Sequence, residues 1–209
     1  TRRHIIKNHQ RSARGLLSVI GGKLTTYRSL AESAVDDIVK TLKLRKPDGG
    51  KVGKSPTEKM PLPGGEGVGN LAEFKLNQIP KAAQAHNLSA RQVEHLVDLY
   101  GARYDRILAL GAENPQWLQP LTPESPNLQA QVVYAVRHEF ARTVGDALRR
   151  MGANFNANSG LDEAEPVARV MADLLGWDET RVQAEIADYT EQITHRQLAF
   201  RSAPTPEPA

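Results

Sequence analysis

Apolar positions run close together near the start of the chain, then settle into a helical rhythm. Leu16-Leu17-Ser18-Val19-Ile20 is an apolar run of strand length, closed by Gly21-Gly22. From there Tyr27, Leu30, Ala31, Ala34, Val35, Ile38 and Leu42 recur at i, i+3, i+4 and i+7. That spacing lays one apolar stripe along an amphipathic helix. Thr25 or Thr26 is expected to cap it, its hydroxyl accepting from a free N–H of the first turn. Residues 15–44 therefore read as strand, tight turn and helix.

Residues 45–70 break the rhythm. Seven Gly and four Pro in 26 residues leave little to bury, so this stretch is expected to be a linker between two domains. Residues 71–200 then read as helix after helix. Ser89 and Gln92 form a capping-box pattern before Val93, Leu96, Val97 and Tyr100, and Gly101 is placed to stop that helix. Asn127 is expected to cap a helix running through Val133, Val136 and Phe140, and Thr143 to start one through Ala147, Leu148 and Met151. Val167, Val170, Met171, Leu174 and Leu175 form a stripe ending at Gly176. Asp178 precedes a last stripe of Val182, Ile186, Tyr189 and Ile193. The Pro-rich end, residues 201–209, is expected to be a disordered tail. The fold class expected is mainly α: a helical domain preceded by a short strand–turn–helix remnant of an α/β domain.

Composition agrees. AVILMFWYC residues make up 40% and charged residues 24%, the balance of a globular chain, while aromatics reach only 5%, which leaves a Leu/Val/Ile/Ala core. Charge is unevenly placed. Residues 1–59 hold 14 Lys/Arg against 5 Asp/Glu, and residues 60–209 hold 13 against 19. The basic part suits an anionic partner or an acidic neighbour. Its cations lack interleaved aromatics, which argues against nucleic acid. There is no cysteine, hence no disulfide, thiolate zinc site or thiol nucleophile. The chain opens without Met, apolar h-region or cleavage site, so it is expected to be a piece of a longer, cytoplasmic protein.

Several chemistries fail on spacing. Counting six residues back from Lys23 reaches Leu17 rather than Gly, and Leu24 follows it, so there is no P-loop. His138-Glu139 lacks a second histidine, because position 142 is Arg142, and no metal site is expected. No GxGxxG follows a strand. What remains is Gly21-Gly22-Lys23-Leu24-Thr25-Thr26-Tyr27-Arg28. Two glycines after a strand let backbone approach a ligand closely. The helix start supplies free N–H groups and the positive end of a dipole, and Lys23 adds a mobile cation.

The segment GLLSVIGGKLTTYRSLAESAVDDIV resembles the end of the flavin domain in FAD-dependent glycerol-3-phosphate dehydrogenases and the related glycerol-phosphate oxidases. A second block is similar to their helical C-terminal domain: Glu139, Ala141, Thr143, Asp146, Leu148 and Arg150, then Val167, Met171, Leu175, Gly176 and Trp177. Leu62-Pro63-Gly64-Gly65 resembles the turn between the two domains. Met151 stands where the family often has a second arginine, and residues 46–126 align thinly.

The resemblance implies that Gly21, Gly22, Lys23, Leu24 and Thr25 bind FAD, with the amides of Lys23, Leu24 and Thr25 facing the pyrimidine end of the flavin ring. It implies a catalytic and substrate-binding role for Lys23, and a substrate-phosphate role for Arg2, with Arg3 as rival. Arg149 and Arg150 read as helix-end cations, His138 as a partly exposed helix residue and Trp177 as core. The whole enzyme would oxidise sn-glycerol 3-phosphate to dihydroxyacetone phosphate and pass electrons to a quinone. A homodimer and peripheral contact with the inner face of the cytoplasmic membrane would fit. Alternatives are an oxidase that uses oxygen, and a helical docking module without catalysis of its own. The piece alone is expected neither to bind FAD nor to turn over.

Overall fold

A computed structural model describes residues 4–202, the last seven by backbone only; Arg2, Arg3 and residues 203–209 lie outside the described residues. The chain divides into two units, Thr1–Leu62 and Pro63–Ala209, which meet inside the stretch expected as a linker.

The first unit holds a hairpin and one helix. Strand β1 (Ile5–Asn8) pairs antiparallel with β2 (Leu17–Ile20), Ile5 opposite Ile20 and Asn8 opposite Leu17. The sequence pattern shows only β2, because a four-residue partner at the chain's start has no periodicity of its own. The connecting loop is pinned by His9, whose N–H donates to the Leu16 carbonyl and whose Nε2 lies 3.0 Å from Ser18 Oγ. After β2, a 3-10 turn (Leu24–Thr26) runs into α1 (Tyr27–Thr41). Arg28 turns inward along the unit and donates to the carbonyls of Thr57 and Met60, tying α1 to the 3-10 turn at Thr57–Lys59. No residue from 4 to 62 is buried. The apolar stripe of α1 is present but uncovered: Tyr27 is 49% exposed, Val35 51% and Leu42 59%.

The second unit is helical: α2 (Leu71–His86), α3 (Ala90–Tyr100), α4 (Tyr104–Ala109), α5 (Gln129–His138), α6 (Val144–Arg150), α7 (Ala164–Leu175) and α8 (Glu179–Ser202). Helix α8 runs two residues into the stretch expected as tail. Two apolar clusters form the interior, and α5 lies between them. Val132, Ala135 and Val136 join α6, α7 and α8 around Leu148, Met151, Met171 and Tyr189. Ala130, Val133 and Tyr134 join α3 and α4 around Leu96, Ile107 and Leu108. Every residue from Ala130 to Val136 is buried, as a helix surrounded by others must be.

The predicted caps at Ser89 and Thr143 are present. Ser89 Oγ accepts from Gln92 N–H while Gln92 Oε1 accepts from Ser89 N–H, and Thr143 and Asp146 pair in the same reciprocal way. Asp178 accepts from Arg181 N–H at 2.8 Å and opens α8. Two expectations for α5 need correction. Asn127 does not cap it: Gln131 Oε1 accepts the Leu128 N–H, and the Asn127 side chain turns to longer-range partners. Phe140 does not belong to its stripe. The helix ends at His138, and Phe140 adopts φ +56° and stands 81% exposed.

Candidate functional site

The turn after β2 is built by its two glycines. Gly21 (φ +72°) and Gly22 (φ +99°) both lie where side chains are disfavoured, and a Cβ on Gly22 would touch Cβ of His4 and Cδ1 of Leu30 at 3.4 Å. Lys23 returns to extended backbone, φ −102° and ψ 150°, and the chain coils at Leu24. The N–H groups of Thr26 and Tyr27 already donate to the Lys23 and Leu24 carbonyls, so the open amides are those of Lys23, Leu24 and Thr25 at the start of the 3-10 turn, and neither that turn nor the first turn of α1 carries an acidic residue. Donors and dipole are thus left for an outside acceptor.

Lys23 is exposed, and its side-chain amine makes no hydrogen bond or ion pair among the described residues. Leu24 is 88% exposed. Gly21, Gly22, Lys23, Leu24 and Thr25 form one contiguous strip of open backbone, and Arg2 lies outside the described residues. The expected threonine cap is not made. Thr26 Oγ1 instead donates to the Lys23 carbonyl at 2.9 Å, alongside its own N–H at 3.0 Å, because a 3-10 turn intervenes between the glycines and α1. The bond freezes the Lys23 peptide. Arg28, in the same sequence block, is spent on the two carbonyls that hold the loop. Beside it Thr25, Ser29, Glu32, Lys54 and Glu58 line a shallow hollow of about 440 Å³.

The second family-like block is a scaffold. Asp146 closes the start of α6 by accepting from the N–H groups of Arg142 and Thr143. Partial burial pushes its carboxyl up, but those amides, the Thr143 hydroxyl and Arg150 outweigh this and hold it below the ordinary aspartate value. Arg150 donates to the carbonyls of Glu139 and Asp146, so this helix-end cation locks the α5–α6 corner. Arg149 reaches Gln192 on α8 at 2.7 Å. Burial pushes the Glu139 carboxyl up, partly opposed by Arg150 and His138, and its Oε2 is buried without a hydrogen-bond partner. His138 is exposed against the Tyr134 ring. Trp177 is half-buried, with the Arg181 guanidinium 5.7 Å from its ring.

Two buried carboxylates escaped the sequence reading, because their partners are distant in the chain. Glu185 on α8 accepts the Val144 N–H at 2.9 Å and pairs with Arg181, so it caps α6 from another helix. Glu163 accepts from Ser125 and from Asn127 Nδ2, while Asn127 Oδ1 takes bonds from His95 and Gln131. Neutral donors surround Glu163 and join the loop before α5 to the start of α7. Among the described residues no group of three His, Cys, Asp or Glu is placed to hold a metal ion, and no helix is long and apolar enough to cross a membrane.

Known proteins bear on the turn and the bundle together. Residues 55–182 match the family described as the C-terminal domain of alpha-glycerophosphate oxidase. A glycerol-3-phosphate dehydrogenase of Synechocystis sp. is 34% identical over 196 residues, covering 92% of this chain and 34% of that protein. One from Mycobacterium leprae is 36% identical over 181 residues, covering 86% of this chain and 29% of that protein. The solved glycerol-3-phosphate dehydrogenase of Bacillus halodurans, complexed with FAD, superposes with a TM-score of 0.67 at 28% identity, over 90% of this chain and 36% of that one. The chain spans about a third of the length of the curated relatives it matches.

Proposed function

Because the chain belongs to the family of alpha-glycerophosphate oxidase C-terminal domains, we propose that it is the C-terminal part of a flavoprotein that oxidises sn-glycerol 3-phosphate to dihydroxyacetone phosphate. FAD, when bound, supplies the acceptor for the hydride leaving C2 of the substrate. The residues of the turn fit it. Two left-handed glycines bring backbone close, and the amides of Lys23, Leu24 and Thr25 open the 3-10 turn that leads into α1, with no carboxylate in the first turn of either. Such amides favour negative charge at the acceptor, and Lys23 adds a cation with no rival partner. The Thr26–Lys23 bond holds the strip in place, so less reorganisation accompanies the chemistry.

The carrying observation is this strip of glycine and helix-start backbone with an unpaired lysine at its centre. The reading extends to a quinone as electron acceptor, a homodimer, and a cytoplasmic enzyme lying peripherally on the inner face of the membrane. The name of the matching family keeps one alternative in view, transfer of electrons to oxygen. The test is to express the intact protein and assay glycerol 3-phosphate with a soluble quinone analogue and, separately, with oxygen. Flavin absorbance and substrate-dependent quinone reduction support the reading. Peroxide formation without quinone reduction favours the oxidase, and neither activity in a flavin-loaded protein sinks both. The 209-residue chain alone is expected to be colourless, since one helix start cannot replace a pyrophosphate-binding turn.

A further inference from the structure

Positive charge gathers at one end of the first unit. Residues 4–31 hold no Asp or Glu, and neither do residues 38–47. The fold brings these two stretches together: Asn8 Nδ2, at the end of β1, donates to Thr41 Oγ1, at the end of α1, at 3.2 Å. Lys7, Arg11 and Arg14 stand on the hairpin side. Lys40, Lys43, Arg45 and Lys46 stand on the last turn of α1 and just past it. All seven are exposed, and none makes a side-chain hydrogen bond or ion pair among the described residues. The glycine strip lies at the other end of α1, about 22 Å away along the helix.

The hairpin loop is held by its own backbone. Ser12 and Ala13 N–H groups both donate to the His9 carbonyl, at 2.9 and 2.7 Å, and the Gln10 N–H donates to Asn8 Oδ1 at 3.1 Å. Between Lys7 and Arg11 the loop leaves a hollow of about 490 Å³, walled also by Asn8, His9, Gln10 and Ser12, with room for a phosphate head group. Apolar side chains are set among the cations: Leu16 is 50% exposed, Leu42 59% and Leu44 45%. Cations interleaved with leucines suit a lipid interface, where the charges meet anionic head groups and the leucines enter the acyl boundary. Nucleic-acid strands call for aromatics, and this end has none. A neighbour covering the apolar stripe of α1 would leave these cations in water, since an unpaired charge is costly to bury. We propose that this end of the first unit, Lys7, Arg11 and Arg14 with Lys40 and the cations just after it, is the contact with an anionic membrane surface. The inference rests on the peripheral placement in the reading above and names the surface that makes it.

The test is sedimentation of the intact protein with vesicles. It should bind phosphatidylcholine vesicles that carry about 30% phosphatidylserine, ignore vesicles of phosphatidylcholine alone, and come off in about 0.5 M NaCl. Each Lys or Arg near such a surface is worth roughly fivefold, so the triple variant Lys7→Gln, Arg11→Gln, Arg14→Gln should bind about 100-fold more weakly. A second triple variant, Lys59→Gln, Lys81→Gln, Arg91→Gln, removes the same charge elsewhere and should lose less than about threefold. Both should keep wild-type flavin absorbance and rate with a soluble quinone analogue. Equal losses in the two variants would keep the peripheral placement but overturn the patch. Equal binding to phosphatidylcholine alone would overturn the proposal. So would release by millimolar inorganic phosphate at constant ionic strength, which would give the hollow to a free anion. Retention on polyglutamate with no binding to vesicles would give the patch to an acidic protein and also overturn it. A colourless protein that still binds vesicles through these cations would support the contact while defeating the flavoenzyme reading.

Discussion

Gly64 and Gly101 cross backbone to backbone. A Cβ on Gly64 would lie 2.2 Å from the Tyr100 carbonyl oxygen, and one on Gly101 would lie 2.1 Å from the Gly64 oxygen. The Ala102 N–H donates to that Gly64 oxygen at 2.8 Å, and Glu66 then accepts the Gly64 N–H and pairs with Arg103. The Leu-Pro-Gly-Gly turn is thus a clasp on the end of α3. Gly64→Ala should cost about 2 kcal/mol or more in urea unfolding, since a fixed carbonyl cannot yield and φ is +89°. Gly69→Ala, where a Cβ meets nothing within 4 Å, should change stability by less than about 0.5 kcal/mol. Equal effects would dismiss the clasp.

Glu185 ties α8 to α6. Its loss in Glu185→Ala leaves the Val144 N–H buried without an acceptor, and stability should fall by about 1.5–3 kcal/mol. Glu185→Gln keeps an acceptor oxygen and should cost less. Denaturant titration of both variants checks the order, and an equal loss would shift the cause from the hydrogen bond to the charge.

The acid limb of stability should carry two opposite signs. Asp146 is held below its ordinary 3.8, so its contribution is full above that value and is lost as pH falls through the lower, folded one. Glu139 is raised above 4.5, so its charged form opposes folding at neutral pH, and that penalty fades as pH falls through the raised value. Glu139→Gln should therefore raise the melting temperature of the 209-residue chain at pH 7 and lose its advantage below pH 4.5. Asp146→Asn should lower it at pH 7 and converge with wild type below pH 3.8. Melting curves from pH 3 to 7 test both.

Lys23→Ala in the intact flavoprotein should lower kcat by about 10²–10³-fold, the loss of one group that stabilises charge developing in the reaction. A rise in KM alone would assign the lysine to ground-state substrate binding. Lys23→Arg should recover part of the rate. Steady-state kinetics at matched flavin absorbance separates these outcomes, and wild-type values for Lys23→Ala would leave it a solvated turn residue.

Local chemistry is what the sequence displays. The reciprocal caps at Ser89/Gln92 and Thr143/Asp146 and the left-handed Gly176 stop each involve neighbours within a turn. Bonds that span dozens of residues leave no such trace. Asn127 reads as a cap by type, yet His95 and Glu163 claim it from 32 and 36 residues away. β1 is invisible for the same reason, since only pairing with β2 makes it a strand. The glycine–lysine strip was legible because its spacing is contiguous. The hydroxyl of Thr26 was misjudged because a 3-10 turn, indistinguishable in sequence from a first helical turn, reverses what the hydroxyl does.

The absence of any buried residue between 4 and 62 has a calorimetric consequence. Globular chains absorb about 0.7 kcal/mol per residue on melting near 60 °C, but only where a packed interior is lost. The second unit, Pro63–Ala209, should supply nearly all the heat, about 100 kcal/mol against about 150 kcal/mol if the whole chain melted as one. The remaining enthalpy would appear only when the hairpin and α1 gain a neighbour. The difference between the endotherms of the short chain and the intact protein would then weigh how much order that neighbour confers.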